Sequence, residues 1–350
     1  MKTCTILGIE SSCDETSAAV VVDGRDVRSN VVSSQIDLHA KYGGVVPEIA
    51  ARAHIEQIQP IVDEAMEQAG VGYADLDAIA VTAGPGLVGS LLIGVTAAKV
   101  LSLAHDLPLV PVDHIEAHAT SAALLCDEPP WPAIGLVVSG GHTSIYLIRD
   151  FLDIELLGQT TDDAAGEAFD KAAAILELGY PGGPVIDRIA RNGNPKAIRF
   201  PRTWLDKPHF NFSYSGLKTA VLYHVYGTGH KYGSSKHLSE QELADVAASF
   251  QAALVEPLVK KTLAAAKKTG VGDVLVGGGV AANSALRDNL SQACEAAGLN
   301  LHLTPMKYCG DNAAMIAALG YRRFIAGDIG DLWLEPRGGL LRPKRDKKKK

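Results

Sequence analysis

The sequence has no C-x-x-C pair, and its five cysteines, Cys4, Cys13, Cys126, Cys294 and Cys309, are odd in number. That excludes a disulfide-stapled scaffold and suits the reducing environment of the cytoplasm. Basic charge is scarce outside the end of the chain. The net charge is −7, and since Lys344 to Lys350 contribute +5, the body carries −12, which excludes a basic glove for nucleic acid. Glu10, Asp14 and Glu15 interrupt the N-terminal stretch where a leader needs an apolar run, so no signal peptide is expected. The longest apolar stretch, Leu87 to Ala104, is broken by Gly89, Ser90, Gly94, Thr96 and Lys99, which predicts a buried small-residue helix and no membrane span. What is present is 350 residues, 47% of them hydrophobic and 21% charged, enough for two packed domains and far from a disordered composition.

Thr5 to Glu10 reads as a buried strand, Ser11 to Thr16 as a polar turn, Ser17 to Val22 as a second strand, Asp23-Gly24 as a hairpin turn and Asp26 to Ser33 as a third strand. Pro47 and Pro60 sit where helices begin, and Ile49, Ile55, Ile58, Ile61, Val62, Ala65 and Met66 keep helical spacing, which predicts two short helices or one bent at Pro60. A strand from Leu76 to Val81 ends in Gly84-Pro85-Gly86 and feeds a helix; a strand from Leu107 to Val112 leads into a helix carrying His114 and His118. The second half repeats the order. Ala133 to Val138, Thr143 to Ile148 and Ile154 to Leu157 form another meander, and Asp273 to Val276 followed by Gly277-Gly278-Gly279 repeats the strand and its glycine turn.

The predicted fold class is therefore α/β, with duplicated ribonuclease-H-like domains facing a central cleft. This is the plan of the actin, sugar-kinase and Hsp70 ATPase superfamily, and it does not by itself choose a reaction. The expected first lobe is 1–107 plus about 312–337, and the second is 108–311. An aromatic- and lysine-rich insertion at about 199–236 is expected to lie over the cleft mouth, and 338–350 to be a disordered basic tail.

Chemistry-bearing residues cluster in the turns. His114 and His118 are four apart, hence on one helix face about 6 Å from each other, a spacing that fits one transition-metal ion or simply two histidines on a polar face. Glu116 tempts a metallopeptidase reading, but it stands two positions after His114, about 200° round the helix and away from the shared ion. Asp311, in the tight turn Gly310-Asp311-Asn312, offers a third ligand or a helix cap. Ser139-Gly140-Gly141-His142, after Val138, is similar to the phosphate-gripping turns of duplicated ATPases. Asp14 and Glu15 occupy the equivalent turn of the first copy, either to position a substrate or as an exposed polar hairpin. Asp162 and Asp163 suit a helix N-terminus. Asp170 is placed either to hold ribose hydroxyls or on a solvated face; Gly183 stands in the forced turn Tyr180-Pro181-Gly182-Gly183-Pro184, which either lays backbone against a nucleobase or only reverses the chain, with Asp187 one helical turn beyond; Asn283 is a ligand group or a helix cap.

GIESSCDET (Gly8 to Thr16), YGGVVPEIAAR (Tyr42 to Arg52), TAGPGLVGSLLIG (Thr82 to Gly94), VSGGHT (Val138 to Thr143), DDAAGEAFDK (Asp162 to Lys171), YPGGP (Tyr180 to Pro184), FSYSGLKT (Phe212 to Thr219), GGVAAN (Gly278 to Asn283) and DNAAMIA (Asp311 to Ala317) stand beside His114 and His118. Together they closely resemble the tRNA N6-adenosine threonylcarbamoyltransferase family, TsaD, in its bacterial branch, over Thr5 to about Arg337. The resemblance implies transfer of a threonylcarbamoyl group from threonylcarbamoyl-AMP to N6 of the adenine beside the anticodon, in tRNAs that read codons beginning with A. It places metal ligands on His114, His118 and Asp311, with Fe(II) favoured and Zn(II) the alternative. Nucleotide contacts fall on Val138, Ser139, Gly140, Gly141, His142, Asp170, Gly183, Asp187 and Asn283. Asp14 or Glu15 then orients the amine or takes its proton. The implied partners are tRNA, a TsaD-like paralogue (TsaB) and a P-loop ATPase (TsaE), with a basic stripe around Arg199, Arg202, Lys207 and Lys218 and no membrane. The competing readings are a metal-dependent endopeptidase and an ATP-driven regulatory module.

Overall fold

A computed structural model describes residues 3–124, 126, 128–202, 209–227 and 238–338. The chain divides into two compact units, the first made of Met1–Gln35, Val45–Ala117 and Asn312–Lys350, the second of Ile36–Gly44 and His118–Asp311.

In the first unit β1 (Thr5–Glu10), β2 (Glu15–Val22) and β3 (Asp26–Ser34) form an antiparallel meander. β4 (Ala78–Gly84) adds parallel to β1 and β5 (Leu109–Asp113) parallel to β4, so the sheet order is β3-β2-β1-β4-β5. β1 is buried at every position, which is why it reads as a continuous apolar run and not as an alternation. The short α1 (Ile36–Ala40) is counted with the second unit, whereas α2 (Pro47–Ala69) and α3 (Val88–His105) pack on one face of this sheet, where Leu7, Ile9, Val20, Ile61, Val62, Val95 and Ala98 share a core. α10 (Ala313–Ile325) covers the other face. It crosses so close to β1 that a Cβ on Gly8 would stand 2.5 Å from the Ala313 carbonyl oxygen. α2 starts with Pro47 in its first turn, runs without interruption through Pro60 and ends at left-handed Gly70.

α3 departs from the expectation of a buried helix. It buries one face, Ser90, Leu91, Gly94, Val95, Ala98 and Ser102, while Val88, Leu92, Val100 and Leu103 are exposed. Apolar residues surround it on every side, so its sequence carries no stripe from which the buried face can be read. Among the described residues it is the helix long and apolar enough to cross a membrane by length and composition.

The second unit repeats the plan. β6 (Ala133–Val138), β7 (Thr143–Asp150) and β8 (Asp153–Gln159) form the meander, and β9 (Asp273–Gly277) and β10 (Asn300–Leu303) add in parallel. The order β10-β9-β6-β7-β8 is that of the first sheet read from the other edge. α5 (Ala165–Ile175), α6 (Gly182–Ala190), α7 (Ser215–Tyr226), α8 (Glu240–Thr269) and α9 (Ser284–Ala297) enclose a core around Phe169, Phe250, Leu254 and Leu286.

The insertion expected to ride over a cleft mouth is, where described, part of this core. Phe200, Phe210, Phe212, Tyr214, Leu217 and Val221 are all buried in it. Its aromatics are irregularly spaced, so they bury large apolar area without leaving a helical or strand period. Residues 203–208, including Lys207, 228–237 and the basic tail from 339 onward lie outside the described residues.

Candidate active site

Both sheets offer the same end for function, the carboxyl ends of their central parallel strands. In the second unit these are the ends of β6 and β9. The turn after β6 is closed by Ser139 N–H donating to the His142 carbonyl at 2.8 Å and by His142 N–H donating to Ser139 Oγ at 3.2 Å, with Gly140 and Gly141 exposed at its tip. α5 is docked onto this turn. Ala165 N–H donates to Thr143 Oγ1 at 2.8 Å, Gly166 N–H to the Ser139 carbonyl at 3.1 Å and Glu167 N–H to the Gly140 carbonyl at 3.1 Å. The first free amides of the helix are thus used to fix the hairpin. After β9, Gly278 takes φ +93°, and a Cβ there would strike the Val138 carbonyl, so only glycine brings this turn against the end of β6.

The remaining residues implicated in nucleotide contact join these turns. Asp170 Oδ1 accepts the Gly182 N–H at 2.7 Å and so caps the start of α6, beside Gly183. Asp187 accepts the Ser284 hydroxyl at 2.7 Å, which ties α6 to the first residue of α9. Asn283 is the N-cap of α9. Its Oδ1 accepts the Leu286 N–H at 3.0 Å and its Nδ2 donates to Gln251 Oε1 at 2.8 Å, so the side chain is committed to structure. The structure therefore brings Val138, Ser139, Gly140, Gly141, His142, Asp170, Gly183, Asp187 and Asn283 around one group of loops.

Two acids stand elsewhere than expected. Asp162 does not open α5, whose N-cap is Ala164; its carboxylate caps α7, accepting Tyr214 N–H at 2.8 Å and Ser215 N–H at 3.2 Å. Partial burial opposes its ionisation, but these bonds and the Ser213 and Ser215 hydroxyls outweigh it and hold the carboxyl below its ordinary value. Asp311 does not cap α10; Asn312 does, through Met315 N–H at 3.2 Å. Of the expected basic stripe, Arg199 is exposed, Lys218 half-buried, and Arg202 is paired with Glu256 at 3.0 Å.

α4 (His114–Thr120) follows β5 directly, and the Asp113 carboxylate caps it by accepting Ile115 N–H at 2.9 Å and Glu116 N–H at 3.1 Å. His118 Nε2 is 3.0 Å from Asp311 Oδ1, and ligand atoms of His114, His118 and Asp311 all lie within 4.8 Å of one another. Two imidazoles and a carboxylate are a donor set suited to Fe(II) or Zn(II), so these residues fit a divalent ion. Glu116 takes no part. It meets Arg323 at 2.5 Å on the other side of the helix, and burial raises its pKa against the lowering effect of that guanidinium.

In the first unit the turn after β1 carries Asp14, and Glu15 opens β2. Asp14 is 8% exposed, while Glu15 Oε1 accepts the Ser34 hydroxyl at 3.1 Å. Two buried residues beside this turn have no counterpart in the sequence reading. His54, on α2, bonds Thr16 and Cys13. Glu10, at the end of β1, lies 2.8 Å from His114 Nδ1. The signal for Glu10 is an acid closing an otherwise apolar buried strand.

Comparison with known proteins agrees with this arrangement. The solved structure of the (R)-2-hydroxyglutaryl-CoA dehydratase component A of Acidaminococcus fermentans matches with a TM-score of 0.53 at 17% identity, covering 91% of this chain and 98% of that one. HypF of T. kodakarensis matches at 0.58 and 16% identity, covering 95% of this chain and 48% of that one. These likenesses establish the duplicated α/β fold. In sequence, the tRNA N6-adenosine threonylcarbamoyltransferase of Symbiobacterium thermophilum is 52% identical over 335 residues, 96% of each chain. That of Moorella thermoacetica is 51% identical over 332 residues, 94% of each. The profile of the same family matches residues 26–318, and with these relatives spanning nearly its full length, the chain belongs to the tRNA N6-adenosine threonylcarbamoyltransferase family.

Proposed function

We propose that this chain transfers the threonylcarbamoyl group of threonylcarbamoyl-AMP to N6 of the adenine beside the anticodon, in tRNAs that read codons beginning with A. The observation that carries the reading is the His114, His118 and Asp311 donor set, with ligand atoms within 4.8 Å of one another, in a chain of this transferase family. In the reaction N6 attacks the carbamoyl carbonyl carbon, the new N–C bond forms, the C–O bond to the phosphate breaks and AMP leaves. His114, His118 and Asp311 would hold a divalent ion, Fe(II) in preference to Zn(II), and that ion would supply Lewis acidity to the transfer.

The residues of the chain do the rest. The exposed Gly140-Gly141 tip and the turn at Gly278 present backbone to the phosphate. Asp170, Gly183 and Asp187 form the nucleoside wall, and Asn283 holds the start of α9 in place. Asp14 takes the N6 proton in preference to Glu15, because Glu15 is engaged by Ser34. The acidic body binds tRNA with the help of a TsaD-like paralogue (TsaB) and a P-loop ATPase (TsaE), in the cytoplasm. The paralogue docks on α2 and α3, where Ile55, Val88, Leu92, Val100 and Leu103 are exposed.

The test supplies purified chain and partners with threonine, bicarbonate, ATP, a threonylcarbamoyl-adenylate synthase and unmodified tRNA. N6-Threonylcarbamoyladenosine in the digested tRNA is the expected result. ATP hydrolysis by the purified chain alone, with no modified nucleoside from the complete mixture, favours the regulatory ATPase reading instead.

A further inference from the structure

We propose that Glu10 is a positioning residue for His114, holding its ring as the Nδ1–H tautomer so that Nε2 is the atom offered to a metal ion. The proposal rests on the reading of His114, His118 and Asp311 as metal ligands.

Glu10 closes β1 and is fully buried, at 0% exposure. A carboxyl group there is costly unless hydrogen-bonded, and donors converge on it. Ser12 N–H donates to Oε1 at 2.5 Å and the Thr82 hydroxyl donates to Oε2 at 2.7 Å. His114 Nδ1 lies 2.8 Å from the same Oε2. The Ser12 N–H on Oε1 and the Thr82 hydroxyl on Oε2 make both oxygens of the group acceptors.

The ring nitrogen facing that oxygen then carries the proton. Ser12 Oγ, 3.2 Å from Nδ1, is placed to accept a second and weaker share of it. With Nδ1 protonated, the lone pair of the neutral imidazole is on Nε2, the form a metal ligand needs. The elements that build this device are β1, β4 and the junction of β5 with α4, so the sheet fixes the orientation of the ring. A carboxylate that merely ties these strands together makes the same contacts, but it has no consequence for metal affinity.

A glutamine at this position keeps the shape but has one acceptor oxygen, and it turns an NH2 group toward donors that need an acceptor. The experiment titrates Zn(II), by chelator competition, and Co(II), by its absorption, into the metal-free full-length chain and its Glu10→Gln, Thr82→Val and His118→Ala variants. Glu10→Gln is expected to weaken both ions about 10- to 100-fold, Thr82→Val to weaken them less, and His118→Ala to remove tight binding. The tautomer of His114 is read by 15N NMR of the histidine-labelled wild-type chain, with His114→Asn for assignment, and Nδ1–H is expected.

A folded Glu10→Gln chain with wild-type affinity overturns the proposal while leaving the metal reading intact, and so does an Nε2–H tautomer at His114. If Glu10→Gln does not fold, the wild-type tautomer decides. A wild-type chain that binds neither ion overturns the metal reading and the proposal with it.

Discussion

His54 Nδ1 lies 2.7 Å from the Thr16 hydroxyl oxygen, while the other nitrogen of the same fully buried ring reaches the Cys13 carbonyl at 2.9 Å. A carbonyl only accepts, so Nε2 carries the proton and Nδ1 accepts from Thr16. The ring thereby pins the turn holding Asp14 to α2. Replacing His54 with alanine removes both bonds and leaves a cavity, and is expected to lower the free energy of unfolding by about 2–4 kcal/mol. Urea denaturation of the two proteins checks this, and a change below about 1 kcal/mol contradicts it.

Asp14 and Glu15 are separated by kinetics. Loss of a general base is expected to cost about 10²- to 10⁴-fold in kcat, so Asp14→Asn falls in that range. Glu15→Gln, whose parent is engaged by Ser34, stays within about tenfold of wild type, because it keeps an oxygen for the same hydroxyl. Single-turnover rates from preformed adenylate give the comparison, and the reverse order assigns the proton to Glu15.

Much of this was legible in the sequence, and the failures are instructive. The meanders, the glycine turns and the repeat were readable because a strand buried on both faces is a plain apolar run, as in TILGIE and AIGLVV. The histidine pair was readable because helix geometry alone puts positions four apart on one face. The capping residues were not. Asp162 looked like the start of α5, yet it caps α7 across 52 residues of chain from Tyr214, a pairing that only tertiary packing makes. Glu10 and His54 were hidden for the same reason: their partners are distant in sequence, and a lone acid closing a strand or a lone histidine within a helix has no periodic signature.

Asp162 also gives the chain an acid-sensitive contact. Its pKa is depressed in the folded protein, so its stabilisation is fully present above the unfolded value of 3.8 and is lost as pH falls from there through the folded value. The stability difference between wild type and Asp162→Ala is expected to be constant near neutrality and to shrink below that pH. Denaturation midpoints measured across the acid range read it out, and a gap that widens on acidification contradicts the assignment.

Gly278 combines φ +93° with contact against the Val138 backbone. Alanine there is expected to destabilise the chain by about 1–3 kcal/mol and, on the proposed phosphate-binding role of this turn, to raise KM for the adenylate more than it lowers kcat. Steady-state kinetics beside a thermal melt separate the two effects.

The central claim is transfer to tRNA at a site built on His114, His118 and Asp311. Its most direct test is mass analysis of nucleosides from tRNA incubated with isotopically labelled threonylcarbamoyl-AMP and either wild-type chain or its folded His118→Ala and Asp311→Ala variants, each with partners. Labelled N6-threonylcarbamoyladenosine from wild type, and its loss in both variants, is the predicted result. Equal yield of that nucleoside from all three proteins would contradict it.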